Sequence, residues 1–295
     1  MTSLGILGGG FGLYGYTATA LSLDKYSLIL LPSKYKRIIH SRNEFDADSK
    51  KINYFDVESE IIQGSDELVL ARRPAQNLNI IENISHVETL YLEKPIAVNP
   101  LKAKTILHKA LQCSSKTCIC YLLFFCYWFD ILEHQLKNDD SFHLTWNFKA
   151  HHIVNNLLTW KSDFSQGGGV LSFYGIHFIA IATYLGFTEV LHSFRDLLWQ
   201  KCSIKLQHTS GKVIIIDIDS NSSEPTFTIS SGNRRFFISN SPIVNYHSIT
   251  NDSRQILIKE LLQGMTFKSS LLFQPDLLFA TLDLWERIEL QMRII

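Results

Sequence analysis

A short apolar stretch, Leu4-Gly5-Ile6-Leu7, runs straight into Gly8-Gly9-Gly10-Phe11-Gly12-Leu13-Tyr14-Gly15 and then into the helix-like run Thr17-Ala18-Thr19-Ala20-Leu21-Ser22-Leu23. Strand, glycine turn and helix in that order leave few folds open, because the helix must lie back against the strand it follows. Glycines let the backbone turn tightly and approach a pyrophosphate, whose charge then rests on the helix N-terminus. Two registers fit: Gly8-x-Gly10-x-x-Leu13 lacks the third glycine, and Gly10-x-Gly12-x-x-Gly15 is complete. Gly8, Gly10, Phe11 and Gly12 are the candidate residues of this loop.

The pattern continues as strands alternating with helices. Tyr26 to Leu31 reads as a second strand, Lys51 to Phe55 as a third and Glu67 to Ala71 as a fourth, ended by Arg72-Arg73-Pro74. Val57 to Gly64 and Gln76 to Ile84 fit helices between them, and Leu101 to Gln112 is amphipathic. This alternation means a parallel sheet with right-handed crossovers. It predicts a Rossmann dinucleotide-binding domain over residues 1–116.

A fold of this type that prefers NAD ends its second strand with an acid for the ribose hydroxyl. Here the strand ends Pro32-Ser33-Lys34, with Lys36 and Arg37 close behind and no acid until Glu44. Ser33, Lys34 and Arg37 therefore suit a 2′-phosphate, and the expected cofactor is NADP in preference to NAD.

The apolar run Val87 to Leu92 reads as the next strand, and Glu93-Lys94-Pro95 sits where it ends. Ligands bind at the carboxyl ends of strands in an open parallel sheet. Lys94 can point an ammonium into that space, with Pro95 stiffening the turn.

The second half has a different period. Phe142, Leu144, Trp146 and Phe148 alternate with polar residues, as do Cys202, Ile204 and Leu206. Cys118–Phe125, Val213–Ile218, Thr226–Ser230 and Arg234–Ser239 are further strand candidates. Period two marks strands with one buried face. The prediction is a second α/β domain, residues 117–295, with an open, mainly antiparallel mixed sheet. One long helix interrupts it, with Val170, Tyr174, His177, Ile181 and Tyr184 at spacings of three and four before Gly186. Asp252 to Gly264 and Pro275 to Arg293 read as closing helices, the latter with Leu278, Leu282, Trp285 and Ile288 on one face. A broad polar sheet face suits a subunit contact, so a homodimer or homotetramer through this sheet is expected.

Length and charge bound the function. At 295 residues the chain can hold two domains, and 28 basic side chains cancel 28 acidic ones. No basic footprint speaks for nucleic acid or an anionic membrane, so a small-molecule partner is the default. The opening residues carry no signal-peptide pattern, and the longest apolar run, Cys118 to Phe129, is too short to span a bilayer. A soluble cytoplasmic protein is expected. Cys113, Cys118, Cys120, Cys126 and Cys202 show no metal-ligand spacing, and read as buried thiols. His151-His152 cannot chelate one ion from a regular strand, so no metal is expected; a substrate contact from His152 fits better. Asn221-Ser222-Ser223 matches a glycosylation pattern and is read only as a loop.

Three stretches together resemble the glucose–fructose oxidoreductase / inositol dehydrogenase family, often called Gfo/Idh/MocA. They are the glycine-rich loop, Glu93-Lys94-Pro95, and Gly167-Gly168-Gly169-Val170-Leu171-Ser172-Phe173-Tyr174-Gly175-Ile176-His177, preceded by Trp160-Lys161. The resemblance covers nearly the whole chain. It implies a cofactor whose nicotinamide lies in a cleft between the domains, and hydride transfer to or from a secondary alcohol or ketone of a sugar, cyclitol or related metabolite. It implies Lys94 as the lysine at the reacting oxygen, His177 as general acid/base and Lys161 as a substrate ligand. Pro74, Glu93 and Lys94 would line the nicotinamide side, and Gly8, Gly10 and Gly12 would approach the pyrophosphate.

One position departs from the family pattern. Four residues before the histidine the family usually carries Asp, on the same helical face; here it is Phe173. An aromatic ring cannot relay a proton, and it disfavours a charged imidazolium. Three outcomes stay open: His177 and Lys94 suffice, Phe173 packs on an unusual substrate, or catalysis is gone and the fold serves as a nucleotide- or metabolite-binding regulatory subunit.

Overall fold

The computed structural model describes residues 2–42, 45, 49–243 and 254–295. They form two compact units. Unit 1 comprises Met1–Ala97, Lys104–Leu122 and His247–Pro275; unit 2 comprises Val98–Ala103, Leu123–Tyr246 and Asp276–Ile295.

Unit 1 is built on six parallel strands: β1 (Thr2–Leu7), β2 (Tyr26–Pro32), β3 (Ile52–Phe55), β4 (Glu67–Leu70), β5 (Val87–Leu92) and β6 (Ser114–Ile119). Their order is β3-β2-β1-β4-β5-β6, the order of a dinucleotide-binding Rossmann sheet. Leu4, Ile6, Leu7, Ile29 to Leu31, Leu68 to Leu70, Leu90 and Leu92 are buried. Such continuous apolar runs are what a sheet covered on both faces requires, and each fully buried side chain stabilises by roughly 1.5–3 kcal/mol. The covering helices are α1 (Ala18–Leu21, continuing a π-helical turn Gly12–Thr17), α2 (Lys36–His40), α3 (Glu58–Gln63), α4 (Asn77–Ile81) and most of α5 (Pro100–Cys113).

Unit 2 carries α6 (Tyr127–Gln135), α7 (His151–Val154) and α8 (Ile176–Tyr184), the last continuing a π-helical turn Val170–Gly175. Its sheet contains β7 (Ser141–Lys149), β8 (Phe187–Arg195), β9 (Lys201–His208), β10 (Val213–Asp219), β11 (Asn221–Ser231), β12 (Arg234–Ser239) and β13 (Met292–Ile294), in the order β12-β11-β7-β10-β9-β8-β13. Only β7 with β10 and β8 with β13 pair in parallel; the other neighbours are antiparallel. Ile214, Ile216 and Ile218 of β10 are buried and alternate with half-exposed Val213, Ile215, Asp217 and Asp219. The sheet thus has one packed and one open face, as its period predicts. Trp128, Phe178 and Phe227 meet at 5.1–6.0 Å in the core beneath it.

Late in the chain come α9 (Gln255–Gln263) and α10 (Phe267–Leu271), both in unit 1, and α11 (Pro275–Gln291), almost wholly in unit 2. A single cut after residue 116 therefore does not describe the division, because the 247–275 segment groups with unit 1. Its apolar face, Leu257, Ile258, Leu261 and Leu262, is buried there. The strand expected over Cys118–Phe125 is also redrawn. β6 starts at Ser114 and completes the parallel sheet, and Leu122–Phe125 is a 3-10 turn. That apolar run is buried from Cys118 to Phe124 across both elements, so hydrophobicity alone carries no boundary. All five cysteines are free and buried.

Candidate functional site

In unit 1 the candidate residues gather at the carboxyl ends of β1, β2, β4 and β5. A Cβ on Gly8 would lie 2.3 Å from the Ala71 carbonyl oxygen, so only glycine fits where the loop leaves β1 against the end of β4. Gly10 has φ +53° and open space where a Cβ would point, a conformation glycine adopts without strain. A Cβ on Gly12 would make ordinary contact with the Ala71 side chain at 3.4 Å. Gly15 is a packing glycine, since its Cβ would meet Phe11 at 2.5 Å and Ile258 at 2.9 Å. Both registers read from the sequence thus hold a part: the first supplies the turn, and the second supplies the close approach of a neighbouring helix. Open space on the Cβ side of Gly10, beside an N-terminal helical turn, fits a diphosphate.

Ser33 and Lys34 open a 3-10 turn after β2, and Arg37 is exposed in α2. Lys34 Nζ lies 3.7 Å from Glu58 Oε1 and 5.4 Å from the centre of the Tyr35 ring. Arg72, just past β4, pairs with the same Glu58 carboxylate. The Tyr35 hydroxyl stands beside Gly9, 3.1 Å from where its Cβ would be. Burial raises the Tyr35 pKa, with Arg72 pulling it down and Glu58 pushing it up. Sequence reasoning named Ser33, Lys34 and Arg37 as candidates and did not name Tyr35, Glu58 and Arg72, which lie beside them. Glu58 and Arg72 follow β3 and β4, so the strand order was the signal that could have found them.

Beyond β5, Glu93 Oε2 accepts a hydrogen bond from the buried Tyr16 hydroxyl at 2.7 Å. Burial raises the Glu93 carboxyl pKa, against the lowering influence of Lys94, the Tyr16 hydrogen bond and Arg254. The Lys94–Pro95 peptide is cis. Asn77, wholly buried on α4, donates to the Ile96 carbonyl at 2.9 Å and ties this loop to the one that begins at buried Pro74.

In unit 2 the candidates cluster around the triple glycine. A Cβ on Gly168 would come within 2.2 Å of the Trp160 carbonyl oxygen and 2.5 Å of that of Lys161. The Trp-Lys pair and the glycines therefore form one packed corner, which explains why they occur together in the sequence. Lys161 Nζ lies 5.1 Å from the centre of the Phe173 ring, and Trp160 meets the same ring edge-on at 5.3 Å. Phe173 continues into an aromatic wall through Tyr174 at 4.7 Å, then Phe148 and Trp146. His152 is buried on α7, and its pKa is lowered by desolvation, then by the Lys161 and His151 charges. His152, Lys161 and Phe173, all expected to face substrate, are thus brought together.

His177 is buried in the first turn of α8. The one continuous α-helix expected from Val170 to Tyr184 opens instead with a π turn over Val170–Gly175. Hydrogen bonds there run from i to i+5, so the four-residue interval from Phe173 to His177 is not the same-face spacing of an α-helix. Among the described residues no cluster of His, Cys, Asp and Glu could hold a metal ion. No helix among them is long and apolar enough to cross a membrane.

No protein-family model matches the sequence, and no curated protein matches it. Solved structures do match over nearly the full length. An oxidoreductase from Thermotoga maritima is 18% identical, with TM-score 0.70, over 98% of this chain and 96% of its own. The WlbA dehydrogenase from Thermus thermophilus, solved with NAD and UDP-GlcNAcA, is 15% identical with TM-score 0.67, over 97% and 94%. A super-repressor mutant of Gal80p from Saccharomyces cerevisiae is 12% identical with TM-score 0.69, over 97% and 93%. The neighbours include oxidoreductases of the Gfo/Idh/MocA type, and the fold is that of these two-domain dehydrogenases.

Proposed function

We propose that the chain is an NAD(P)-dependent oxidoreductase that interconverts a secondary alcohol and a ketone on a sugar, cyclitol or related metabolite. The observation that carries this reading is the glycine cradle. Gly8 is pressed against Ala71, and Gly10 turns at φ +53° into open space at the end of the central strand. Gly8, Gly10, Phe11 and Gly12 would hold the diphosphate, and Pro74, Glu93 and Lys94 would lie along the nicotinamide. When bound, the cofactor gives or takes the hydride. Lys94 binds the reacting oxygen and withdraws charge from it as the carbonyl is reduced. His177 passes the proton to that oxygen, or removes it in the reverse direction. Lys161 and His152 hold substrate hydroxyls, while Phe173 and its aromatic neighbours offer an apolar wall to the C–H face of a ring and keep water out.

At the adenosine end, Ser33 with Lys34 and Arg72 outweighs the single acid Glu58, so NADP remains the preferred form in this reading. Glu58 competes with a 2′-phosphate for the same cations and limits that preference. The open polar face of the second sheet, where His143 and Asp217 pair at 2.5 Å, is the surface we propose for self-association. A second reading is favoured by Phe173 and by the fold shared with Gal80p: a non-catalytic subunit that binds the nucleotide and acts through a partner.

Turnover separates the two. Aldoses, uronic acids, nucleotide sugars and cyclitols are supplied with NAD+ or NADP+, and absorbance of the reduced nicotinamide is followed. The enzyme reading expects at least one active pair, and Lys94→Ala to lower kcat by about 10²–10⁴-fold with cofactor affinity kept. Cofactor binding without turnover across the panel would favour the regulatory reading.

A further inference from the structure

A groove of about 400 Å³ opens in unit 2, lined by none of the candidate residues above. That is an ordinary size for a small-molecule site. One wall is aromatic. The Phe164 ring lies flat on the Trp199 indole, with centres 3.6 Å and planes 8° apart, and the Arg195 guanidinium carbon lies 3.9 Å from the centre of the Trp199 ring. Both cannot share one face at these distances, so the indole is held between them. Trp199 keeps this place under strain. Its φ is +56°, in the left-handed region that a bulky residue rarely adopts. Neighbours hold it there: its carbonyl accepts from the Val170 amide at 2.8 Å, and Asp196 Oδ1 accepts from the Gln200 and Lys201 amides at 2.7 and 3.0 Å.

We propose that this groove binds a small organic monocarboxylate with an apolar body, and that Arg195 receives its carboxylate. The site would hold its ligand whether or not unit 1 binds a dinucleotide. Arg195 is half-buried. Its side chain stacks on Trp199 and gives one hydrogen bond, from Nη1 to the Asp196 carbonyl at 2.9 Å. Among the described residues no carboxylate pairs with it. A guanidinium whose plane is fixed by stacking, and whose donors are not taken up by a protein acid, matches a carboxylate in two parallel N–H···O bonds. Asn99, also on the groove, adds a donor: its Oδ1 accepts from the Lys102 amide at 2.9 Å, which leaves its NH₂ group to give. The acids set the charge that the groove tolerates. Glu286 and Glu289 line it too, so a dianion such as phosphate meets more repulsion than a monocarboxylate does. Desolvation pushes the Glu289 pKa up to about 7, with the Trp285 hydrogen bond acting against it and the Glu286 charge adding to it. Below that value Glu289 is a neutral carboxyl that can donate to the ligand; above it, the carboxylate repels. Pro100, Leu290 and Met292 offer the ligand's body an apolar surface, from which an inorganic anion would draw nothing.

The test titrates the full chain by calorimetry with benzoate, phenylacetate and isovalerate, at pH 6 and pH 8. Benzamide and phenylacetamide are the neutral matches, and inorganic phosphate is the comparison anion. At least one carboxylate should saturate at pH 6 with a Kd of about 1 mM or below. Its amide and phosphate should bind at least about tenfold more weakly. Arg195→Gln keeps a flat polar group over the indole; it should raise the carboxylate Kd at least about tenfold, with the thermal midpoint near wild type. Wild type should bind about three- to tenfold more weakly at pH 8 than at pH 6, and Glu289→Gln should remove that difference. No binding of any carboxylate would overturn the proposal, as would a carboxylate that binds no tighter than its amide. So would phosphate binding as tightly as the carboxylates, which would mean a general anion contact. A Kd within twofold of wild type in folded Arg195→Gln would place the carboxylate elsewhere and overturn it as well. An Arg195→Gln chain that fails to fold hands this last comparison to Glu289→Gln, where loss of the pH dependence supports the site and its persistence overturns it.

Discussion

Glu67 and Glu93 are carboxylates set into opposite ends of one parallel sheet, and their surroundings differ in kind. Glu67 begins β4 at the amino end, where it takes hydrogen bonds from the Tyr26 hydroxyl at 2.8 Å and the Tyr91 hydroxyl at 3.2 Å and an ion pair from Lys25 at 2.8 Å. Its donors come from two places in the unit, Lys25-Tyr26 at the start of β2 and Tyr91 in β5, and they tie β2, β4 and β5 together. Glu93 lies past β5 at the carboxyl end, with one hydroxyl donor and two cations, Lys94 and Arg254, in electrostatic reach. The first carboxylate is satisfied by the fold. The second sits among charges that folding alone does not need, at the end of the sheet where ligands bind. Burial is common to both; the neighbours differ, and in the proposed reading only the second carboxylate serves chemistry.

The largest effect should come from the structural end. Glu67→Ala leaves Lys25 and two buried tyrosine hydroxyls without their acceptor, and should cost about 3–5 kcal/mol in urea unfolding. Cofactor affinity of the protein that stays folded should be unchanged. A large loss of affinity at full stability would break the comparison.

A carboxyl in unit 2 sharpens it. Glu289 is half-buried with a single donor, Trp285 Nε1 at 2.8 Å, and desolvation pushes its pKa up to about 7 from an ordinary 4.5. A carboxyl raised in this way holds its proton in the folded state through that window while the unfolded chain has lost it. Stability therefore falls as pH rises from about 4.5 to about 7, and the full penalty persists above. Glu289→Gln should stabilise by up to about 3 kcal/mol at pH 8 and by almost nothing at pH 4, as read from denaturant midpoints at the two pH values.

Glu93→Gln tests the functional end. Stability at pH 8 should stay within about 1 kcal/mol of wild type, while turnover falls at least about tenfold. The smallest effect belongs to Glu58. Glu58→Gln removes the acid that competes for Lys34 and Arg72, and should raise the preference for NADPH over NADH about three- to tenfold in paired titrations.

Local rules made much of this legible. Gly8 and Gly10 follow a strand and precede a helix, and Glu93-Lys94-Pro95 follows an apolar run, so their place in the fold was readable within a dozen residues. The alternation in β7, β9 and β10 announced a sheet with one open face. What stayed hidden depends on distance in the chain. Glu58, Arg72 and Arg254 join the glycine loop only because the strand order and the return of α9 bring them there. The amphipathic pattern of α9 says that one face is buried and not against what. The π turns at Gly12–Thr17 and Val170–Gly175 were equally hidden, since glycine, leucine and tyrosine at spacings of three and four read as an ordinary helix. β6 was misplaced because strand, 3-10 turn and helix share one apolar run.

The most direct measurement is a titration of the wild-type protein with NADPH and NADH, followed by quenching of tryptophan emission and energy transfer to the reduced nicotinamide. The account predicts saturable binding of both, with NADPH the tighter. Well-folded protein that binds neither would contradict it at its centre, because the glycine cradle would then hold no dinucleotide.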